Sequence, residues 1–290
     1  MREARNITAV AEFLGPLILG IAVAKTIGNI VVDPENISSH VILAAILGAI
    51  LWNLLTSILG LPSSSSHALV GGLVGAVVIA AGIHAIRPEG LAKILLSLFL
   101  SPLVGFAIGF IILKVTMLLS WEASPRINQF FKNSQILTVI ALGLSHGSND
   151  APKTMGVITL ALITEKQLTS FTVPTWVMLI SALAIAAGTA VGRERLVRTV
   201  GGKFYKIEPV DAFSSQLSSA LVIITSSILG GPVSATHVLS SSVMGVGAAE
   251  RANKVRWSIA QDIGTAWLVT IPIAAVLSAV VYQVMNPFFH

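Results

Sequence analysis

The chain has no cysteine and few charged residues. Of its 290 residues, 11% are charged and 54% are hydrophobic, whereas charged residues make up about 25% of soluble domains. The absence of cysteine excludes disulfides and thiolate metal sites. So few charges cannot cover the surface of a water-soluble globule. Together with the mean hydropathy of +0.86, this predicts a multi-pass protein whose solvent is the lipid bilayer.

The net charge of +5 does not indicate nucleic-acid binding, because most Lys and Arg residues fall in short connectors between apolar segments. Basic residues concentrate on the cytoplasmic side of membrane proteins. The richest connector, 192–211, is therefore predicted to be cytoplasmic and is a candidate contact for a cytoplasmic regulator. Its basic residues are Arg193, Arg195, Arg198, Lys203 and Lys206.

Apolar segments of about the 20 residues needed to span a bilayer recur along the chain. They predict an all-α, polytopic membrane protein. The predicted apolar segments are 7–30, 41–59, 68–86, 91–119, 173–191, 212–229 and 263–284, and the shorter segment 238–249 follows the second break.

Two breaks between apolar segments have nearly the same sequence. Residues 60–67 read Gly-Leu-Pro-Ser-Ser-Ser-Ser-His, and residues 230–237 read Gly-Gly-Pro-Val-Ser-Ala-Thr-His. A second echo, 20–25 against 188–193, occurs in the same order at almost the same spacing. The chain is therefore predicted to be an internal duplication with halves 1–125 and 126–290. Paired helix breaks in apolar sequence point to a transporter's binding site.

The most polar stretch within apolar sequence is Ser-His-Gly-Ser-Asn-Asp-Ala-Pro-Lys at 145–153. Short apolar segments flank it, which predicts one helix broken at Gly147 and Pro152. A carboxylate at mid-membrane costs about 2.5 kcal/mol or more and usually marks an ion pathway. Asp150 is accordingly a candidate cation ligand; alternatively, it pairs with Lys153 or caps a helix.

Each duplicated break carries hydroxyl groups just before a predicted helix. The first turn of a helix exposes unpaired N–H groups and the positive end of the helix dipole, which together favour an anion. The hydroxyls add neutral donors for an oxyanion, although single clusters are commonly helix caps or packing residues. The hydroxyl residues are Ser64, Ser65, Ser66, Ser234 and Thr236.

Four further residues are candidates for the site. His67 and His237 follow the hydroxyls at matching positions and could donate to an anion or carry a proton, unless backbone carbonyls satisfy them. Glu12 lies within the first apolar segment and is a candidate for the cation site. Ser148 precedes the Asn-Asp pair and could add a further hydroxyl.

These motifs resemble those of inorganic phosphate transporters of the PiT type. The similarity rests on residues 145–156, 64–72 and 232–240, with Glu12-Phe-Leu-Gly and 266–272 in addition, and it covers almost the whole chain. It implies two inverted repeats with broken helices and re-entrant hairpins in the cell membrane. It also implies secondary active transport of inorganic phosphate with sodium or protons, without a cofactor other than sodium as co-substrate.

The resemblance carries roles over to individual residues, and the chain also departs from the family's pattern. It assigns phosphate contacts to the five hydroxyl residues, and places Asn149 and Asp150 at the coupling-cation site with Glu12 nearby. The family has an Asn-Asp element in each half, whereas the first half of this chain has none, so the chain looks truncated at its N-terminus. Ala235 stands where another hydroxyl is expected.

Three alternatives remain open at this point. A sulfate permease of the same fold would bind an anion of the same shape, and a non-transporting membrane subunit would explain a missing Asn-Asp element. An intramembrane hydrolase would need one activated serine. Paired serines and histidines favour symmetric binding instead, so an enzyme is not predicted. A homo-oligomer is a further expectation.

Overall fold

In the computed structural model, which describes residues 2–30, 37–61, 63–124, 126–191 and 207–288, all regular secondary structure is helical. The basic residues predicted at 192–206 lie outside the described residues. The described helices are α1 (Arg2–Leu19), α2 (Ala22–Ile30), α3 (Ser39–Leu59), α4 (Ser65–Ala81), α5 (Pro88–Leu119), α6 (Ile127–Thr164), α7 (Thr175–Val191), α8 (Pro209–Ile228), α9 (Ala235–Glu250) and α10 (Trp257–Met285).

Three helical stretches in the described part of the chain are long and apolar enough to cross a bilayer: Ser39–Leu59, Pro88–Leu119 and Gly264–Phe288. The pair α1 and α2 makes a fourth if it counts as one span, although it bends by 81°. The prediction of one unbroken span at 7–30 is therefore wrong. The bend lies at Gly20, whose φ of +89° is a backbone conformation that glycine adopts at little cost.

The predicted break at 145–153 is also wrong, because α6 runs through it as one helix of 38 residues. Gly147 serves close packing instead: a Cβ on this residue would lie 2.1 Å from the carbonyl oxygen of Glu12 in α1. Gly15 of α1 approaches the backbone of α6 in the same way. Pro152 removes one backbone donor, and α6 nevertheless continues to Thr164.

Both duplicated breaks form as predicted, each between two helices that pack together as a hairpin. Hairpin 1 consists of α3 and α4, and hairpin 2 of α8 and α9. Each turns at a glycine in the left-handed region, Gly60 with φ +69° and Gly230 with φ +72°. A side chain at these positions would be strained, so each hairpin depends on a glycine at the matching position of its turn.

The long helices α5 and α10 each pack on the hairpin that is more distant from them in the sequence. Helix α10 lies against hairpin 1 and α5 lies against hairpin 2. A Cβ on Gly75 would stand 2.0 Å from the carbonyl oxygen of Ala275, and one on the equivalent Gly245 would stand 2.0 Å from that of Phe106. The two glycines thus each allow a hairpin helix to come into backbone contact with a long helix. The internal duplication, with its boundary near residue 125, stays a prediction.

The outer faces of the long helices are apolar and exposed. Ile58 is 83% exposed, Leu118 74% and Leu103 68%, whereas many hydroxyl and charged side chains are buried between helices. This distribution is the reverse of that in a soluble protein and suits a lipid solvent. The centre of α6, packed between α1, α2 and hairpin 2, carries the polar residues considered next.

Candidate functional site

The two hairpins present the same cap at the start of their second helix. The Ser64 hydroxyl accepts a hydrogen bond from the backbone N–H of His67 at 3.3 Å. The Ser234 hydroxyl accepts one from the backbone N–H of His237 at 3.4 Å. The capping alternative for these two serines is therefore observed, and because a cap satisfies only some of the first-turn N–H groups, it is compatible with an anion nearby.

The tips of the hairpins meet at the middle of the fold. The Ser66 hydroxyl of hairpin 1 donates to the carbonyl oxygen of Val233 in hairpin 2 at 3.1 Å. The rings of His67 and His237 lie 4.6 Å apart between centroids, and His237 stacks on Trp267 at 3.8 Å. Both histidines are buried. The two breaks therefore form one junction.

Lys153 of α6 lies at this junction. Its ammonium group donates to the Ser66 hydroxyl at 2.6 Å and to the Val233 carbonyl at 2.5 Å, so it contacts both tips. It also forms an ion pair with Asp150 at 2.6 Å. Lys153 is only 4% exposed, and Asp150 is the acidic partner that such a buried charge requires. The predicted alternative, in which Asp150 pairs with Lys153, is thus present in the structure.

A row of ionisable side chains leads from this ion pair to α1. His146 Nε2 lies 3.1 Å from an Asp150 oxygen, and His146 Nδ1 lies 2.5 Å from Glu12 Oε1. Glu12 is 2% exposed, and its second carboxylate oxygen has no hydrogen-bond partner among the described residues. An unpaired buried carboxylate oxygen is costly. A cation or a proton bound to this oxygen would remove that cost.

Asn149 joins α6 to hairpin 2. Its amide nitrogen donates to the Ser227 hydroxyl at 3.0 Å and to the Gly231 carbonyl at 3.3 Å. Its amide oxygen accepts from the backbone N–H of Val233 at 3.1 Å. The side chain therefore satisfies three groups of the tip and holds it at a fixed position on α6.

A cavity of about 230 Å³ opens beside Lys153, between α4, α6 and α7. Its polar lining consists of Ser65, Asp150, Lys153, Thr154 and Ser181. Ser181 is 3% exposed and its hydroxyl has no hydrogen-bond partner among the described residues. A buried, unpartnered hydroxyl on the lining of a cavity that also carries charged groups suits a ligand that brings its own acceptors.

The predicted site residues are not all placed together. Ser66, Asn149 and Asp150 meet at the junction, and Ser65 faces the cavity. Thr236 is exposed and bonds to Ser234 at 3.0 Å. The Ser148 hydroxyl donates within α6, to the carbonyl of Ser145.

Sequence reasoning left two central residues, His146 and Lys153, out of the predicted site. Both belong to the 145–153 stretch. On a continuous helix, residues three or four apart share a face, which places His146, Asp150 and Lys153 in one row. Treating the stretch as a break concealed this periodicity.

The hydrolase alternative gains no support from the geometry. Residues 143–147 read Gly-Leu-Ser-His-Gly, which matches the nucleophile-elbow pattern of some hydrolases. That pattern requires a sharp turn between a strand and a helix. Here it lies inside α6, and the hydroxyl of Ser145 donates to the carbonyl of Leu142 at 2.7 Å.

Comparison with known proteins decides the family. The model of the phosphate transporter family, PHO4, matches residues 1–278. The chain belongs to this family. A probable low-affinity inorganic phosphate transporter of Bacillus subtilis is 42% identical over 292 residues, which cover 99% of this chain and 87% of the relative. One of the same description from Rhizobium meliloti is 40% identical over 273 residues, covering 93% and 82%.

A solved structure described as the sodium-dependent phosphate transporter has the same fold. It superposes with a TM-score of 0.92 at 24% identity and covers 99% of this chain and 90% of its own. The predictions of an all-α multi-pass membrane fold and of phosphate transport, rather than an enzyme activity, are confirmed by the family and this fold. The sulfate and subunit alternatives are not favoured.

Proposed function

We propose that the chain binds inorganic phosphate at the hairpin junction and releases it on the other side of the membrane, driven by a cation. Phosphate enters the cavity beside Lys153, where Ser65, Thr154 and Ser181 offer neutral donors. Neutral donors suit a carrier, because they hold a tetrahedral oxyanion without the fixed charge that would oppose its release. The N-terminus of α4 adds the positive end of its helix dipole.

The observation that carries this proposal is the ammonium group of Lys153 between the two tips. It neutralises Asp150 at 2.6 Å, and without that positive charge a nearby carboxylate would repel phosphate. It also contacts Ser66 and the carbonyl of Val233. A ligand that disturbs these contacts therefore acts on both hairpins, as alternating access to one central site requires.

The coupling cation, in this proposal, is taken by the row from Glu12 through His146 to Asp150. Glu12 contributes an unpartnered buried oxygen, and His146 connects the two carboxylates. Carboxylate oxygens are ligands for sodium and are acceptors for a proton, so the row suits either ion. The sodium dependence in the description of the structural neighbour motivates testing sodium first.

The test is uptake of labelled phosphate into proteoliposomes containing the purified chain. Uptake should exceed that of empty liposomes and increase when an inward sodium or proton gradient is imposed separately. Unlabelled phosphate should compete more strongly than sulfate. Stronger competition by sulfate would reassign the substrate, and uptake equal to that of empty liposomes would contradict transport by this chain.

A further inference from the structure

The partners of the Lys153 ammonium group form a set of three oxygen atoms from three separate elements. Asp150 of α6 supplies a carboxylate, Ser66 of hairpin 1 a hydroxyl and Val233 of hairpin 2 a backbone carbonyl, at 2.5 to 2.6 Å. We call this set the oxygen cage. Its residues are buried apart from Asp150, whose side chain is 20% exposed.

Carboxylate, hydroxyl and freed carbonyl oxygens are the ligands that proteins use for hard cations within membranes. The Val233 carbonyl lies between the end of α8 and the start of α9, outside the hydrogen-bond ladder of either helix. Such non-helical backbone at membrane depth occurs where it lines a site. The composition of the oxygen cage is thus that of a sodium site, although its occupant is an ammonium group.

An ammonium group can replace a metal ion in such a cage. It is a compact point charge with three donors and no acceptor, and here it has three oxygen partners. The cage contains one formal negative charge, on Asp150, which one positive charge balances. The four-carbon stem ties this charge to α6, so it cannot cross the membrane as a transported ion would.

We propose that Lys153 is a tethered cation that closes a sodium site, and thereby determines which cations the carrier takes up. The proposal rests on the proposed function for its place in transport, but its central statement concerns sodium binding. Removal of the ammonium group should leave Asp150, Ser66 and the Val233 carbonyl facing an unfilled space. The chain should then bind one sodium ion more than it does with lysine in place.

The experiment counts sodium ions bound to purified protein, using equilibrium binding of labelled sodium. Lys153→Ala empties the oxygen cage, and Lys153→Gln does so while keeping most of the side-chain stem. Lys114→Ala is the matched control, because Lys114 is an exposed lysine of α5 and its loss opens no cage. Both Lys153 variants should bind one more sodium ion per chain than the unaltered protein and the control.

A double variant identifies the site. Addition of Asp150→Asn to Lys153→Ala removes the carboxylate, so the extra sodium ion should be lost again. In Lys153→Ala, sodium should also raise the melting temperature further, relative to choline, than it does in the unaltered protein, because a ligand that binds only the folded state stabilises it.

Equal sodium stoichiometry in the unaltered protein and both Lys153 variants would overturn the proposal. Variants that remain unfolded in sodium would also contradict it, since a closed sodium site should recover stability when sodium fills it. Failure of the proposed function is a separate result: it would appear as absent phosphate uptake by the unaltered protein, whatever the sodium count of the variants.

Discussion

The Ser66 hydroxyl donates a hydrogen bond to the carbonyl oxygen of Val233 at 3.1 Å, which joins the tip of hairpin 1 to the tip of hairpin 2. The same hydroxyl accepts from Lys153 at 2.6 Å. One side chain thus connects both hairpins and α6, so movements of the three elements are coupled through it.

Replacing Ser66 by alanine should lower the initial rate of phosphate uptake by roughly tenfold. The substitution removes one partner from the buried ammonium group and from the Val233 carbonyl, and unsatisfied buried groups cost about 1–3 kcal/mol each. Initial rates in proteoliposomes give the measurement. Ser57→Ala, an exposed hydroxyl of α3 in the same hairpin, should transport normally; equal rates for both variants would show that the junction contact is dispensable.

Replacing Glu12 by glutamine should abolish concentrative uptake while preserving phosphate exchange. The substitution removes the carboxylate that faces His146, so the row from Glu12 to Asp150 loses a proposed cation ligand. The cavity beside Lys153 keeps its lining. Net uptake under an ion gradient and exchange of internal for external phosphate measure the two activities. Glu3→Gln, on the exposed side of α1, serves as the control. Gradient-driven accumulation by Glu12→Gln would refute the role of this row.

Replacing Gly147 by alanine should destabilise the protein by about 1–3 kcal/mol or more, the range for overpacked interiors. A Cβ there would lie 2.1 Å from the backbone oxygen of Glu12, so α1 and α6 must separate. The melting temperature can be followed by the fluorescence of the 5 tryptophans in the chain. Gly188→Ala is the control, because a Cβ on Gly188 meets nothing within 4 Å. An unchanged melting temperature for Gly147→Ala would mean that the helices are not in backbone contact.

Replacing Asn149 by aspartate should impair both stability and uptake, although the side chains have the same shape. The amide nitrogen donates to Ser227 and to the carbonyl of Gly231, and a carboxylate oxygen would face that carbonyl without a proton to share. The expected loss of stability is about 2–4 kcal/mol. Asn133→Asp, on the exposed side of α6, should melt and transport normally. A stable, active Asn149→Asp variant would show that this amide does not hold hairpin 2.

Much of the fold could be predicted because it depends on local sequence patterns. Apolar length predicts the spanning helices, and the repeated Gly-Pro-hydroxyl-His pattern predicts both hairpins. The break predicted at 145–153 fails for a physical reason. A glycine in apolar sequence can interrupt a helix or allow another helix to approach, and the sequence looks the same in both cases. Only the position of α1 against Gly147 distinguishes the two uses.

The candidate site could likewise be predicted only in part. The sequence identifies Ser66, Asn149 and Asp150 as polar residues in apolar surroundings, where burial is costly and therefore informative. It does not show that Lys153 contacts Val233, because Lys153 lies on α6 and Val233 lies in the connection between α8 and α9, 80 residues away in the chain. The sequence also shows no partner for the Glu12 carboxylate. That partner, His146, is found only when α1 packs on α6.

The sequence by itself determined the lipid solvent, the helical class, the two similar helix breaks and the chemistry of the residues available at the hairpins, because composition and periodicity are properties of short segments. Only the tertiary structure decided that α6 is continuous, that the hairpin tips touch, and that an ammonium group fills the oxygen cage between them. The reason is that each of these depends on contacts between distant segments, and distances across the fold are set by how whole helices pack.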